Sequence, residues 1–230
     1  MLLKQCQNGT YTEKKKKKKR HKRMNIHLYL PRMRTRDENK ELAIREKALE
    51  MVVKEGFDGL SMQKLAKAAG VSPATIYIYF KDRDDLILQL WLQEVKKMVD
   101  ATLKGFDPDM SFNEGLKIQW MNRARFCMEN PASMHFLEQI KFSPYHETCM
   151  KKMDNTFLKA MSQFVHNAIN RKEVVKLQIE VYWSVAFAPL YQLVKMHMSG
   201  RGLRGGTEKF VLDDKIMNQT LKLVLKALKP

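Results

Sequence analysis

The sequence predicts an all-α protein in two parts, a small N-terminal unit of three helices and a larger C-terminal helical bundle. Three observations carry this reading. From Met33 onward apolar residues recur at helical spacing, and no alternation of apolar and polar residues is long enough for a sheet strand. Helix-start residues stand ahead of the apolar runs, at Ser61, Ser72, Asp82 and Ser111. Hydrophobic residues make up 44% of the 230 positions, enough for a packed core and for one or two domains.

The first helix is expected over Asp37 to Glu55. Ile44, Ala48, Met51 and Val52 form its buried stripe, and Gly56 ends it in a left-handed cap. Ser61 caps a short second helix whose inward face is Leu65, Ala66 and Ala69, with Leu60 and Leu65 at the spacing of a hydrophobic staple. Gly70 stops it. Ser72 caps the third, Pro73 occupies the first helical position, and Ile76 and Phe80 are its inward anchors. Asp82 caps a fourth helix, expected from Arg83 to Lys104, with Leu86, Leu90, Trp91 and Met98 inward.

Beyond the break at Gly105, Asp107 and Pro108, Ser111 with Glu114 forms a capping box that opens a helix to Glu129. Asn130-Pro131 starts a shorter piece to Ile140. Long helices follow over Tyr145–Asn170, Glu173–Met198 and Glu208–Leu228, with Pro189 expected to kink the second of these.

The formal charge of +17 is unevenly placed. Residues 1–32 hold eleven basic side chains against the single acid Glu13. The run Lys14 to Arg23 lacks apolar periodicity and repels itself, so residues 1–36 are read as a disordered basic leader. Three readings of it stand open. It adds sequence-blind affinity for phosphates, it is a nuclear address, or translation begins at Met24 or Met33 and the leader is an artefact of gene calling. Residues 33–82 hold nine basic and eight acidic side chains, so affinity for nucleic acid there must come from where Lys64, Lys67, Lys81 and Arg83 point.

Two capped helices joined only by Gly70-Val71-Ser72 must cross steeply, which is the helix-turn-helix arrangement. Around its anchors the third helix carries Pro73, Ala74, Thr75, Tyr77, Ile78 and Tyr79. So many apolar and aromatic atoms on two turns need a cover, and the DNA major groove offers one.

The stretch Ile44 to Leu86 resembles the tetracycline-repressor (TetR) family of bacterial transcription factors. The residues that carry the resemblance are Glu55-Gly56-Phe57, Leu65-Ala66-x-Ala68-Ala69-Gly70-Val71-Ser72 and Ile76-Tyr77-x-Tyr79-Phe80. Val52 stands where the family usually has phenylalanine, and Arg83 where it usually has lysine. The resemblance implies a dimeric regulator with a DNA-binding domain over residues 37–82 and a ligand-binding and dimerisation domain over 83–230. It places DNA contacts at Ser61, Gln63, Ser72, Pro73, Ala74, Thr75, Tyr77, Tyr79, Lys81 and Arg83. Gln63 and Thr75 are assigned to base edges, the others to phosphates or shape.

Two further sets follow in the C-terminal part. The segment Val181 to Val194 is apolar on every side, and Met217, Leu221, Val224 and Leu228 recur at helical spacing on the last helix. A dimer interface is therefore expected at Leu190, Tyr191, Val194, Met217, Leu221, Val224 and Leu228, with a larger monomeric core as the alternative. A ligand cavity is expected among Trp120, Phe126, Phe136, Phe157, Phe164, Trp183 and Phe187, a set that ordinary core packing also explains.

Catalytic constellations and phosphate-cradling glycine loops are absent from the sequence, so no enzyme and no cofactor are expected. His146 and Cys149 lack further ligands, so no metal is expected. Scattered Cys6, Cys127 and Cys149 suit a reducing cytoplasm, and no segment reads as membrane-spanning. The expected function is a cytoplasmic, nucleoid-associated repressor that binds a palindromic operator in double-stranded DNA and is released by a small, largely apolar effector. A DNA-bound scaffold recruiting another protein is the alternative.

Overall fold

Eleven helices and no strand occur among the described residues, 37–202 and 209–230, of the computed structural model. The basic leader lies outside them. Helix α1 (Glu38–Gly59) holds helical geometry to Glu55; Gly56 then takes φ 72°, ψ −179°, a conformation reserved in practice for glycine, and a last turn follows. Helices α2 (Met62–Ala68), α3 (Pro73–Tyr79) and α4 (Arg83–Thr102) each start on the expected cap. Ser61 Oγ accepts from the Lys64 amide, Ser72 Oγ from Thr75 and Asp82 from Asp85, each satisfying an amide with no intrahelical partner.

The bundle continues with α5 (Phe112–Glu129), α6 (Pro131–Lys141), α7 (His146–Lys152), α8 (Thr156–Asn170), α9 (Ile179–Ala186), α10 (Ala188–Ser199) and α11 (Asp214–Ala227). The capping box forms as expected, with Ser111 Oγ donating to Glu114 at 2.7 Å.

Three long helices expected from periodicity are shorter or divided. Tyr145–Asn170 breaks between α7 and α8, where the Asp154 carboxylate takes both the amide and the hydroxyl of Thr156 and starts a new helix. Glu173–Gln178 is not helical. Lys172 has φ 56°, Glu173 accepts the Phe112 amide at 2.7 Å, and Val175 donates to the Leu228 carbonyl at 3.0 Å. Pro189 does more than kink its helix: the chain leaves helical geometry at Phe187, and Pro189 sits in the first turn of α10, where its missing N–H leaves nothing unpaired. The last helix begins at Asp214, capped by Asp213; residues 209–213 are not helical, and Glu208, its expected start, lies outside the described residues.

Two apolar cores result. One joins Ile44, Ala48 and Val52 of α1, Leu65, Ile76 and Phe80 to Leu86, Ile87, Leu90 and Trp91 of α4, and includes Phe136 and Ile140 of α6. The other gathers Phe112, Leu116 and Trp120 of α5 with Phe164, Tyr182, Phe187, Leu190, Val194 and the buried face of α11. Met98 of α4 touches both, so α4 couples the helix-turn-helix unit to the bundle. Glu94 of α4, 1% exposed, pins it to α6 by accepting from Ser133 and is neutralised by Lys97 at 2.8 Å.

The second core includes one close approach. Gly115 on α5 lies under the ring of Phe164, which stacks on Phe112 (centroids 5.6 Å apart) and meets Phe106 edge-on at 5.1 Å. A Cβ at position 115 would stand 2.4 Å from that ring. Gly115→Ala gains about 1 kcal/mol of helix propensity, but overpacking a confined ring costs about 1–3 kcal/mol. A net loss of up to about 2 kcal/mol is expected in urea unfolding, and a raised midpoint would show that the ring yields freely.

Candidate nucleic-acid interface

The three-helix unit divides the expected contacts into two groups. Gln63 on α2 and Ser72, Pro73, Ala74, Tyr77 and Lys81 on and around α3 are exposed, and Ser61 is partly so. Tyr77 is 55% exposed and Ile78 stands beside it at the surface. Lys64 and Lys67, on the outer side of α2, are also exposed. Lys64 is held only by a 3.8 Å contact to Glu55, weak enough in water to leave it free to reach another anion.

Thr75, Tyr79 and Arg83 do not belong to the exposed group. Thr75 is buried, with its hydroxyl 2.8 Å from Ser72 Oγ, so it reinforces the cap of α3 and does not project from it. Tyr79 is buried as well. Its hydroxyl accepts from the Asp37 amide at 2.9 Å and donates to the Asp37 carbonyl at 3.1 Å, tying α3 to the start of α1. Arg83 is half-buried, and its guanidinium donates to the Phe57 carbonyl, which anchors α4 on the turn after Gly56. For Thr75 and Tyr79 the physical reason is that a two-turn helix needs more than two anchors, and these side chains complete the set; Arg83 serves the start of α4 instead.

Further bonds fix the pitch of α3 against α4. The Lys81 amide donates to Asp85 at 2.9 Å, and Gln89 donates to the same carboxylate at 2.8 Å. Arg45 bridges Glu41 at 2.7 Å and Gln89 at 2.9 Å, with its guanidinium carbon 5.0 Å from the Phe80 ring centroid. What remains outward is a ridge of small and aromatic apolar atoms flanked by hydroxyls, an amide and lysines. Such a ridge matches the width and chemistry of a major groove.

The residues matched by the family model for bacterial regulatory proteins of the tetR family are 44–90, the segment that builds this ridge. Residues 44–90 are a tetR-family helix-turn-helix unit. Among curated TetR-type relatives, a helix-turn-helix transcriptional regulator of Haemophilus influenzae is 39% identical over 106 residues, 46% of this chain and 56% of that protein. The fatty acid metabolism regulator protein of Bacillus subtilis is 31% identical over 61 residues, 26% of this chain and 31% of that one. The chain thus matches less than two thirds of the length of these curated relatives. TetR-family crystal structures are matched almost whole. One from Marinobacter aquaeolei is 26% identical with a TM-score of 0.66, covering 86% of this chain and 99% of that one. Another from Haemophilus influenzae is 25% identical with a TM-score of 0.68, covering 85% and 100%. These TetR-family relatives are transcriptional regulators and not enzymes.

The residues expected to form a TetR-type dimer interface lie elsewhere than expected. Leu190, Val194, Met217, Leu221, Val224 and Leu228 are buried in the core of their own chain, and only Tyr191 is part-exposed. An apolar stripe calls for a cover, and here the same subunit supplies it. The apolar groups left outward on α9 and α11 are Ile179, Val181 and Leu223.

The expected ligand-lining set also divides. Phe136 belongs to the other core, with its ring 6.3 Å from Phe57. Trp120, Phe126, Phe157, Phe164, Trp183 and Phe187 do gather in the bundle, and several rings pack on one another: Trp183 lies 4.7 Å from Phe187, and Phe157 meets Trp183 edge-on. Beside them a cleft of about 250 Å³ opens between α6 and α10, lined by Met134, His135, Glu138, Tyr191, Val194, Lys195, Met198 and Ser199, with Glu138 paired to Lys195 at 2.9 Å. Tyr191 and Val194 were expected at a dimer interface and not at a cleft, because apolar residues at helical spacing do not show what covers them.

Among the described residues no group of three or more His, Cys, Asp or Glu could hold a metal ion, and no helix is long and apolar enough to cross a membrane. Burial pushes the Cys149 thiol up to about 11, so beside His146 it is a protonated core group and a poor ligand.

Proposed function

We propose that this protein is a dimeric transcriptional regulator, a repressor, whose α3 enters the major groove of a palindromic operator and which a small, largely apolar ligand releases. The observation that carries the reading is the bare ridge of Pro73, Ala74, Tyr77 and Ile78, left uncovered after the core of the unit is complete. Gln63 is the side chain best placed for a base edge; Ser61, Ser72, Lys64, Lys67, Tyr77 and Lys81 serve phosphates. A second copy is proposed to dock on the outward faces of α9 and α11, through Val181 and Leu223, giving the two-fold symmetry a palindrome requires.

Release follows from α4. It starts three residues after Phe80, is pinned to α6 through Glu94, and crosses both cores. A ligand that binds better when the bundle holds α4 in a different tilt moves both α3 helices out of register with successive grooves. It shifts the equilibrium only by its difference in affinity for the two states.

Selection of double-stranded sites from random DNA tests the reading, and a palindromic consensus is expected. The double substitution of Tyr77 and Lys81 by alanine should weaken binding to that site roughly 100-fold, with a shallower salt dependence. Equal affinity for selected and random DNA would end it. Sedimentation at micromolar concentration should give a dimer, and Leu223→Glu a monomer.

A further inference from the structure

Among the described residues, the bundle holds a cation with no ion-pair partner. Arg123 on α5 is 2% exposed. Its guanidinium carbon sits 4.5 Å from the ring centroid of Phe187 and 5.2 Å from those of Phe157 and Trp183. Nη1 donates to the Tyr191 hydroxyl at 2.8 Å and Nη2 to Gln119 Oε1 at 3.1 Å. Nε is buried with no partner. Among the described residues Arg123 makes no ion pair, unlike Arg45 with Glu41 and Arg171 with Glu173. Ring faces compensate a buried guanidinium only in part, and an unmet donor adds to the deficit.

A second unmet group lies close by. The Tyr182 hydroxyl is buried without a partner, and the charge of Arg123 reaches it. Tyr191, which occupies Nη1, is also a wall of the 250 Å³ cleft between α6 and α10. That cleft is slightly smaller than the usual range for small-molecule sites, about 300–1,000 Å³; its apolar lining is Met134, Val194 and Met198, and the one carboxylate on its wall, Glu138, is paired with Lys195 at 2.9 Å. Tyr191 thus touches both the cleft and the guanidinium.

We propose that Arg123 is the anchor for the carboxylate of an amphipathic organic acid whose apolar part occupies the Met134–Val194–Met198 cleft. The carboxylate takes the places of the Tyr191 hydroxyl on Nη1 and of Gln119 Oε1 on Nη2, in the end-on fork that a guanidinium offers to two oxygens. The same anchor reaches α4. Gln119, which accepts from Arg123, donates to the Thr102 carbonyl at 2.9 Å, and Asn122 donates to that carbonyl at 3.2 Å; Thr102 is the last residue of α4. Drawing Arg123 toward an anion therefore disturbs the bonds that hold the far end of the helix bearing on α3. This inference deepens the effector reading above and rests on it.

Calorimetric titration of the full chain with decanoate and cinnamate, each against its neutral amide, tests the anchor without any variant. Both acids are expected to bind and both amides to bind at least 10-fold more weakly. Arg123→Gln should weaken the acids by a similar factor, and Tyr191→Phe, which frees Nη1, should tighten them about 3-fold. DNA release is read in parallel on the selected site. Amides that bind and release DNA as well as the acids overturn the carboxylate anchor while the effector reading stands. Acids that bind through Arg123 yet leave DNA affinity unchanged overturn the effector reading while the anchor stands. Failure of both acids to bind at about 1 mM, or unchanged acid affinity in either variant, overturns the anchor.

Discussion

Replacing Trp120 by alanine is expected to lower the unfolding free energy by about 3–5 kcal/mol, the range for deleting a buried aromatic side chain. Trp120 is completely buried at the centre of the bundle core, and its indole N–H donates to the Ala186 carbonyl at 2.7 Å. Ala186 ends α9, and the last carbonyls of a helix have no donor within it. The side chain thus fills volume and meets an acceptor at the break before α10. Trp120→Phe separates the two roles: it keeps most of the volume and leaves the carbonyl unpaired, for about 1–3 kcal/mol. Domains of this kind have only about 5–15 kcal/mol in total, so Trp120→Ala should unfold at distinctly lower urea concentration. A phenylalanine variant as unstable as the alanine variant would mean that the hydrogen bond, and not the packing, dominates.

What the sequence disclosed and what it withheld divide along physical lines. Caps are local. Ser61, Ser72, Asp82 and Ser111 bond amides three residues away, so they can be read without knowing the fold, and all four form. Gly56 is legible for the same reason, since only its own φ and ψ are at stake. Helix continuity is less local. Pro189 is consistent with either a kinked helix or a new one, and the choice depends on Phe187 turning into the core beside Trp183 and Tyr182.

Faces are least legible where they depend on which partner covers them. Leu190, Val194, Leu221 and Val224 had to be buried, yet nothing in their spacing says whether by the same chain or by another, and the same chain does it. Phe136 had to be buried too, but its stripe on α6 turns to the α1–α4 core. Arg123 gave no signal at all. A lone arginine on a helix with Arg125 and Lys117 reads as solvated, and only the rings gathered from α8, α9 and the α9–α10 break reveal it as interior. The expected contact set on α3 failed for a reason present in the spacing. Thr75, Ile76, Tyr79 and Phe80 stand at i, i+1, i+4 and i+5, which is one face of a helix, and all four are buried. Counting only Ile76 and Phe80 as anchors left Thr75 and Tyr79 wrongly outside.

That face and its opposite should respond differently to truncation. Phe80→Ala removes a ring that is 1% exposed, closes the end of α3 through its amide to Ile76, and lies under Arg45. The expected loss is about 3–5 kcal/mol for the side chain and about 0.5–1 kcal/mol more for the cation–π contact. Arg45, bound to Glu41 and Gln89, then stands over a void, so α3 loses its register against α1 and α4 together. Tyr77, three residues earlier, points to solvent, so Tyr77→Ala should change stability by no more than about 0.5 kcal/mol. Both variants should bind the selected DNA site poorly, but for different reasons. Stabilising the protein, for instance with an osmolyte that favours burial, should restore DNA affinity to Phe80→Ala and leave Tyr77→Ala unchanged. If the osmolyte rescued both equally, Tyr77 would be one more anchor, and the ridge would lose the side chain on which its assignment to the groove chiefly rests.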